Sequence, residues 1–377
     1  MKIIHVIIAA VLVLSLAGCS NDSESVVAQA AAETITSRKT EQTAELVPNA
    51  SVKAALTQIA AIPLHAPATV TITGVVTTEE IKSLRDALKA LPDGSVYVTL
   101  DFSGATLPGN TVPTDSLSNA NNNLYSVILP NTVTKIEDWA FCGNRLDNIT
   151  IPESVKEIGV CAFAWTNIKA PVIPNGVKTL NSTFEGCYGL RFVVIPASVT
   201  EFKDFYDANA SGGPVTRGLF QNSSIKDIYY LGTASQWDNI KKDPNWNRND
   251  GVSPTVHYMT STSVTVYDAL SSDINDGYTV LSSTADYEKL YAINTVPGTE
   301  YEVQWCDSYS RNEASFSNIP SGLMDCKMVI LGIREIDDNA TVTFKANAST
   351  TYIMCYSYDA GNSGKCAFRV SKANNMQ

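Results

Sequence analysis

Histidine is the scarcest reactive residue in this chain of 377: there are three, none of them in a catalytic spacing. His5 lies in an apolar leader, His65 stands beside prolines, and His257 sits in the short run VHY. Neither H-E-x-x-H nor G-x-S-x-G nor a phosphate-cradling glycine loop occurs. A cysteine nucleophile would need one of those histidines as its base. On this basis no catalytic residue, metal ligand or cofactor is assigned, and the chain reads as a non-enzyme. Basic charge is short as well. The 27 Lys plus Arg against 38 Asp plus Glu give a net charge of −11, which leaves no face for phosphates and excludes nucleic acid as a partner. After residue 16 no apolar run is long enough to span a bilayer. C-x-x-C pairs are missing too, which removes the usual zinc and redox spacings. The oxygen-rich SSDINDG (271–277) is too short for an EF-hand loop and lacks its closing Glu, so a plain turn is the simpler reading.

What is present begins with a leader. Lys2 precedes an apolar run from Ile3 to Leu16, too short for a mature membrane helix and of signal-peptide length. The LAGC that follows resembles a bacterial lipobox, which implies removal of residues 1–18 and lipidation of Cys19. Ser20 after the cysteine, by analogy with sorting rules, favours the outer membrane, and acyl chains of this kind anchor durably. Residues 19–48 are rich in Ser, Thr, Ala, Glu and Gln and have no aromatic residue; they read as a disordered tether.

From Leu124 the chain repeats itself. Units begin at Leu124, Leu146, Ile168, Leu190 and Ile225, the first three intervals being 22 residues and the last 35. The fourth position reads Val127, Ile149, Pro171, Val193 and Ile228; the sixth reads Leu129, Ile151, Ile173, Ile195 and Tyr230. Pro130, Pro152, Pro174 and Pro196 follow at once, then Val133, Val155, Val177 and Val199, and later Phe141, Phe163, Phe184 and Phe220. Positions one, four and six predict a short strand facing inward, which proline ends because it lacks an N–H. One such unit cannot bury its own apolar face, whereas stacked units can.

The second unit, LDNITIPESVKEIGVCAFAWTN, resembles the BspA-type leucine-rich repeat, most closely at Ile151, Pro152, Ser154, Val155, Ile158, Gly159, Ala162 and Phe163. The likeness weakens at Pro171 and at an insertion within Lys203–Arg217, and IYYLGTASQWDNI (228–240) looks like a terminal unit. The resemblance implies a leucine-rich-repeat solenoid that binds a host or bacterial protein at the cell surface. Upstream, Thr77 and Glu80 are spaced as a capping box, and Ile81, Leu84, Leu88 and Leu91 share one helical face between two strand-like runs. Val52, Leu56 and Ile59 suggest a further helix, so residues 49–258 form the solenoid with an N-terminal α/β cap. Beyond, residues 259–377 alternate as short strands and predict an antiparallel β-sandwich, its end similar to bacterial pre-peptidase C-terminal jelly-roll modules. Cys355 and Cys366 flank an expected hairpin turn and are the best-placed pair for a disulfide; the other cysteines read as small buried hydrophobes.

The expected fold is therefore mainly β. Its site, if one exists, lies on outward positions. Position five reads Ile128, Thr150, Val172, Val194 and Tyr229, and Tyr125 and Phe192 join the row. An exposed apolar ribbon marks an interaction surface, though β-branched residues also simply suit strands. Lys169, Arg191 and Lys226 at position two favour an acidic partner, and the inserted loop with Phe205 and Tyr206 is a second candidate or a tolerated variation. The leading expectation is a lipid-anchored outer-membrane adhesin, exposed at the surface. The alternatives are an accessory subunit or enzyme acting on extracellular polymers with the sandwich as binding module, and a structural envelope component.

Overall fold

The computed structural model describes residues 49–210, 213–248 and 253–259, together with 265–268, 279–281, 290–306, 326–330, 334–336, 341–346, 348–357 and 366–372. The leader, Cys19, the tether and the turn at 271–277 lie outside the described residues. The described structure is mainly β, with three short α-helices.

The N-terminal part follows its local signals. Asn49 caps the helix Ala50–Ala60 by accepting from the Ser51 N–H, and Val52, Ala55 and Ile59 face inward. The helix Thr78–Lys89 opens with the expected capping box: the Thr77 hydroxyl accepts from the Glu80 N–H and the Glu80 carboxylate accepts from the Thr77 N–H. Glu80 also accepts from the Asn49 N–H at 2.6 Å, so one carboxylate fastens the starts of both helices. Burial pushes that carboxyl up, but the N–H groups of Thr77 and Asn49 and the Thr77 hydroxyl outweigh it and hold Glu80 below the usual carboxylate value. Ile81, Leu84 and Leu88 are buried, with Leu91 partly so.

The strands on either side of this second helix, Pro67–Val75 and Tyr97–Thr106, pair in parallel. Tyr97–Thr106 then pairs in parallel with Leu124–Ile128, matching Val98 to Leu124 and Leu100 to Val127. The ladder thus starts a unit earlier than the periodicity from Leu124 suggests. Val112 pairs with Ile136, and the Leu117 N–H donates to the Ala140 carbonyl, as a repeat would. Leu117 standing where later units have Phe hides this unit in the sequence.

Three walls connect the units. The first is a parallel ladder through Leu124–Ile128 and Asn148–Thr150, then Phe192–Pro196, Asp227–Leu231 and Thr255–Tyr258. Pro171, which has no N–H, leaves the third unit an isolated bridge, Val172 to Val194. The second wall pairs two- and three-residue strands: Thr111–Val112, Lys135–Ile136 and Glu157–Ile158, then Thr179–Asn181, Glu201–Lys203 and Lys241–Lys242. The third is built from turns, each donating to the next unit: Phe141 N–H to Ala162 carbonyl, Phe163 to Thr183, Phe184 to Leu219 and Phe220 to Trp246.

Inside, the phenylalanines form a column. Phe141, Phe163, Phe184 and Phe220 are stacked with centroids 5.4, 5.9 and 6.0 Å apart, and Trp246 closes the column edge-on at 6.3 Å. Three residues after each Phe stands a polar side chain that satisfies a turn carbonyl: Asn144 and Thr166 donate to Phe141 and Phe163, Ser223 to Phe220, and the Cys187 thiol to the Phe163 carbonyl.

After Met259 the described strands form two sheets. One orders Thr265–Asp268, Leu290–Asn294, Thr350–Ser357, Cys326–Ile330 and Arg334–Ile336; the other Thr279–Leu281, Cys366–Lys372, Glu300–Cys306 and Thr341–Lys345. All pairs are antiparallel except Thr265–Asp268 with Leu290–Asn294, a departure from the expected purely antiparallel arrangement. The expected hairpin between Cys355 and Cys366 is corrected as well: their strands belong to different sheets, so this connection crosses between sheets rather than turning within one. The turn itself, 358–365, and both cysteine side chains lie outside the described residues.

Phe163 touches both its column neighbours, so Phe163→Ala opens a hole in the column. It is expected to lower unfolding free energy by about 3–5 kcal/mol, measured by urea denaturation. A loss within about 0.5 kcal/mol would mean that the column contributes little.

Candidate interaction surfaces

The alternation along the first wall turns position five outward as expected, but outward is not everywhere solvent. Tyr125, Ile128, Thr150 and Val172 are half-buried. Phe192, Val194 and Tyr229 are 6%, 0% and 1% exposed, and with Ala170 they form a separate apolar cluster. Met259 and Tyr352, from the chain beyond the repeats, pack against it. The expectation of a continuous exposed ribbon is therefore corrected at these three residues. Nearby, Glu153 accepts from the Ser349 N–H at 3.0 Å and hydroxyl at 2.7 Å. A cleft of about 420 Å³ remains at this junction, lined among others by Thr150, Glu153, Val172, Pro196, Ser349 and Tyr352. Burial pushes the Tyr352 phenol up. His257, which the sequence left without a role, stacks on Tyr229 at 4.8 Å and bonds Asp227 at 2.8 Å.

The position-two cations come together. The Arg191 N–H donates to the Lys169 carbonyl and the Lys226 N–H to the Arg191 carbonyl, both at 2.9 Å, so the three side chains leave adjacent rungs in register. They line one depression of about 430 Å³ with Asn167, Tyr188 and Ser224. Lys169 pairs with Asp147 at 3.5 Å. Arg191 and Lys226 are exposed, and Tyr188 is 64% exposed.

The insertion within the fourth unit folds outward as an antiparallel pair, Phe205–Asp207 with Val215–Arg217. Phe205 packs edge-on against Trp139 at 5.6 Å, and Tyr206 is exposed. Arg217 reaches back to Glu185 at 2.9 Å and to Asp207 at 3.5 Å. Glu185 also accepts from the Trp165 indole N–H at 2.9 Å, and burial pushes its carboxyl up against the pull of Arg217. Between the pair and the turn wall lies a groove of about 510 Å³.

The turn wall carries a pattern that the sequence reading missed. Two residues after the Phe column the backbone is left-handed in every unit: Asn119, Gly143, Trp165, Gly186 and Asn222 have φ of 50, 69, 57, 70 and 57°. Asn and Gly tolerate this region, whereas for a side chain as bulky as Trp it costs roughly 1–2 kcal/mol. Trp165 is thus the residue out of place, and a tryptophan in a column of Gly and Asn was the available signal. Two residues before the Phe column, Cys161 is left-handed too and fully buried. Burial pushes the Cys187 thiol up to about 11 and the Cys142 thiol up to about 12, away from the thiolate form that a nucleophile uses. Cys142, Cys161 and Cys187 are free, and among the described residues no group of three His, Cys, Asp or Glu side chains is placed to hold a metal.

Residues 110–211 match the family model of the BspA type leucine rich repeat region, in 6 copies. The chain carries a BspA-type repeat region. Among solved structures, a leucine rich cell surface protein from Faecalibacterium prausnitzii A2-165 is similar at 15% identity, covering 51% of this chain and 92% of that one, with a TM-score of 0.16, too low to bear on fold or function. No curated protein matches.

The buried cluster makes Val194 and Tyr229 structural. Val194→Asp leaves an unpaired charge against Met259 and Tyr352 and is expected to lower the melting temperature by several degrees, read by calorimetry. An unchanged melting temperature would restore these residues to a free surface.

Proposed function

We propose that this is a lipid-anchored protein of the bacterial outer membrane whose repeats, as a leucine-rich-repeat solenoid, bind an acidic surface on another protein. Residues 1–18 are then a lipoprotein signal, Cys19 carries the lipid, 19–48 act as a tether, 49–258 form the solenoid with its cap, and 259–377 a β-sandwich. The observation that carries the binding reading is the basic depression: Lys169, Arg191 and Lys226 in register beside an exposed tyrosine, on a chain whose net charge is −11. A local cationic patch on an acidic protein steers an acidic partner by complementarity. The exposed Tyr188 supplies an aromatic anchor of the kind that dominates interface energetics. The half-buried Tyr125, Ile128 and Thr150 extend this surface along the strand wall, while Phe192, Val194 and Tyr229 serve to seat the C-terminal module.

The full-length protein in detergent micelles, immobilised on a sensor, is expected to retain a surface protein from host or co-resident bacterial extracts. The triple variant Lys169→Gln, Arg191→Gln, Lys226→Gln should weaken that retention by about tenfold or more and flatten its salt dependence, with stability held within about 0.5 kcal/mol. Equal retention by the triple variant would sink the basic surface. For the anchor, Cys19→Ser is expected to move the protein from the detergent phase to the aqueous phase on Triton X-114 partition. Partition unchanged by Cys19→Ser would remove the lipid anchor.

A further inference from the structure

We infer that Trp165 is a preorganised platform for a pyranose ring, and that the groove beside it is a glycan-binding site separate from the basic depression. The first ground is backbone conformation. Trp165 occupies a left-handed position that the neighbouring units fill with Gly or Asn, so the fold keeps a bulky ring where a small residue would be less strained. Its counterpart in strain, Trp139, is accounted for by packing on Phe205. Trp165, though also in ring contact with Tyr188, remains 39% exposed.

The ring is nevertheless held still. Its indole N–H is fixed to Glu185, it makes a T-shaped contact with Tyr188 at 5.9 Å, and part of the ring lies against Gly186. A Cβ at 186 would come within 2.5–2.8 Å of Cδ2, Cε3 and Cε2, so only glycine lets the indole lie flat there. With Gly186 beneath it and the N–H engaged, the ring still lines the groove and stays 39% exposed. A rigid aromatic face loses little entropy on binding, and the C–H face of a pyranose is the natural complement of an electron-rich indole.

The surroundings select the ligand class. Beside Trp165 the groove is lined by Asp207, Asn209, Thr216, Gln221 and Asn222, with the Glu185–Arg217 pair also part of its lining. Side-chain amides and carboxylates give the paired acceptors and donors that vicinal hydroxyls require. A nucleotide would meet Asp207 and Glu185 with like charge. The inserted pair supplies one side of this groove, which gives the insertion a purpose that the repeat itself does not need.

The test titrates soluble oligosaccharides of glucose, xylose, galactose and N-acetylglucosamine into the full-length protein in micelles by calorimetry. At least one series is expected to saturate. Trp165→Asn, a residue the same column carries at Asn119 and Asn222, should lose about tenfold or more in affinity while its melting temperature holds or rises. Gly186→Ala, which tilts the ring without removing it, should weaken the same sugar. The triple variant of the basic depression should bind the sugar as wild type does, which separates this site from the protein-binding reading. No saturable sugar in the panel, or wild-type affinity in Trp165→Asn, overturns the proposal. An acidic peptide that binds in place of every sugar and is lost with Trp165→Asn overturns the ligand class.

Discussion

Each turn of the array donates its N–H groups to the carbonyls of the next unit, while on the second wall the later unit donates back, as Lys156 does to Thr134 and Gly159 to Ile136. Two walls bonded in opposite senses leave a unit no freedom to slide along its neighbour. The phenylalanines must then fall into one column, and stacking at 5.4–6.0 Å adds an apolar spine that a shifted unit would break. Every unit depends in this way on the one before and the one after, so the ends need separate solutions. At the start two helices tied by Glu80 cover the first strands; at the finish Trp237 meets Phe202 and Trp246 meets Phe220 edge-on, replacing a missing neighbour.

That dependence divides residues into two kinds. Inward columns are fixed by the neighbours above and below, and a change in one is a change in packing. Outward columns answer only to solvent and partners, so a break in their pattern carries information. Position two runs Tyr125, Asp147, Lys169, Arg191 and Lys226, with three cations in succession. The left-handed turn column runs Asn, Gly, Trp, Gly, Asn. The tryptophan in the second run sits where its backbone conformation is strained.

The sequence made the inward columns legible because identity recurs there at a fixed step: Leu or Ile, Pro, Val and Phe are visible without coordinates. The capping box at Thr77 and Glu80 was legible for the same reason, being a local rule. The first unit was not, since Leu117 replaces the phenylalanine and its first-wall strand, Tyr97–Thr106, reads as part of the cap. Nor was the fate of the ribbon. Alternation gives the direction of Val194 and Tyr229, but what lies above them is Tyr352, more than 100 residues further along, and no periodicity reaches that far. The sheet membership of Cys355 and Cys366 is lost on the same ground: strands were found where alternation is strong, while their pairing depends on chain crossings that alternation does not encode.

The covered ribbon redirects attention to the other walls. A flat parallel ladder with β-branched and aromatic side chains is the wall best suited to packing against another module, and this chain uses part of it on itself, with Met259 and Tyr352 on the cluster and Ser349 clipped to Glu153. Charge and strain then collect elsewhere: the cations at the rim where strands begin, and Trp165 on the turn wall beside the inserted pair. Tyr188 belongs to both places, lining the basic depression and making a T-shaped contact with Trp165. An insertion at the second wall or at a strand would have broken a ladder that both neighbours need. Placed between the short strand Glu201–Lys203 and the turn of Phe220, it leaves all three walls bonded and adds a polar flank to Trp165.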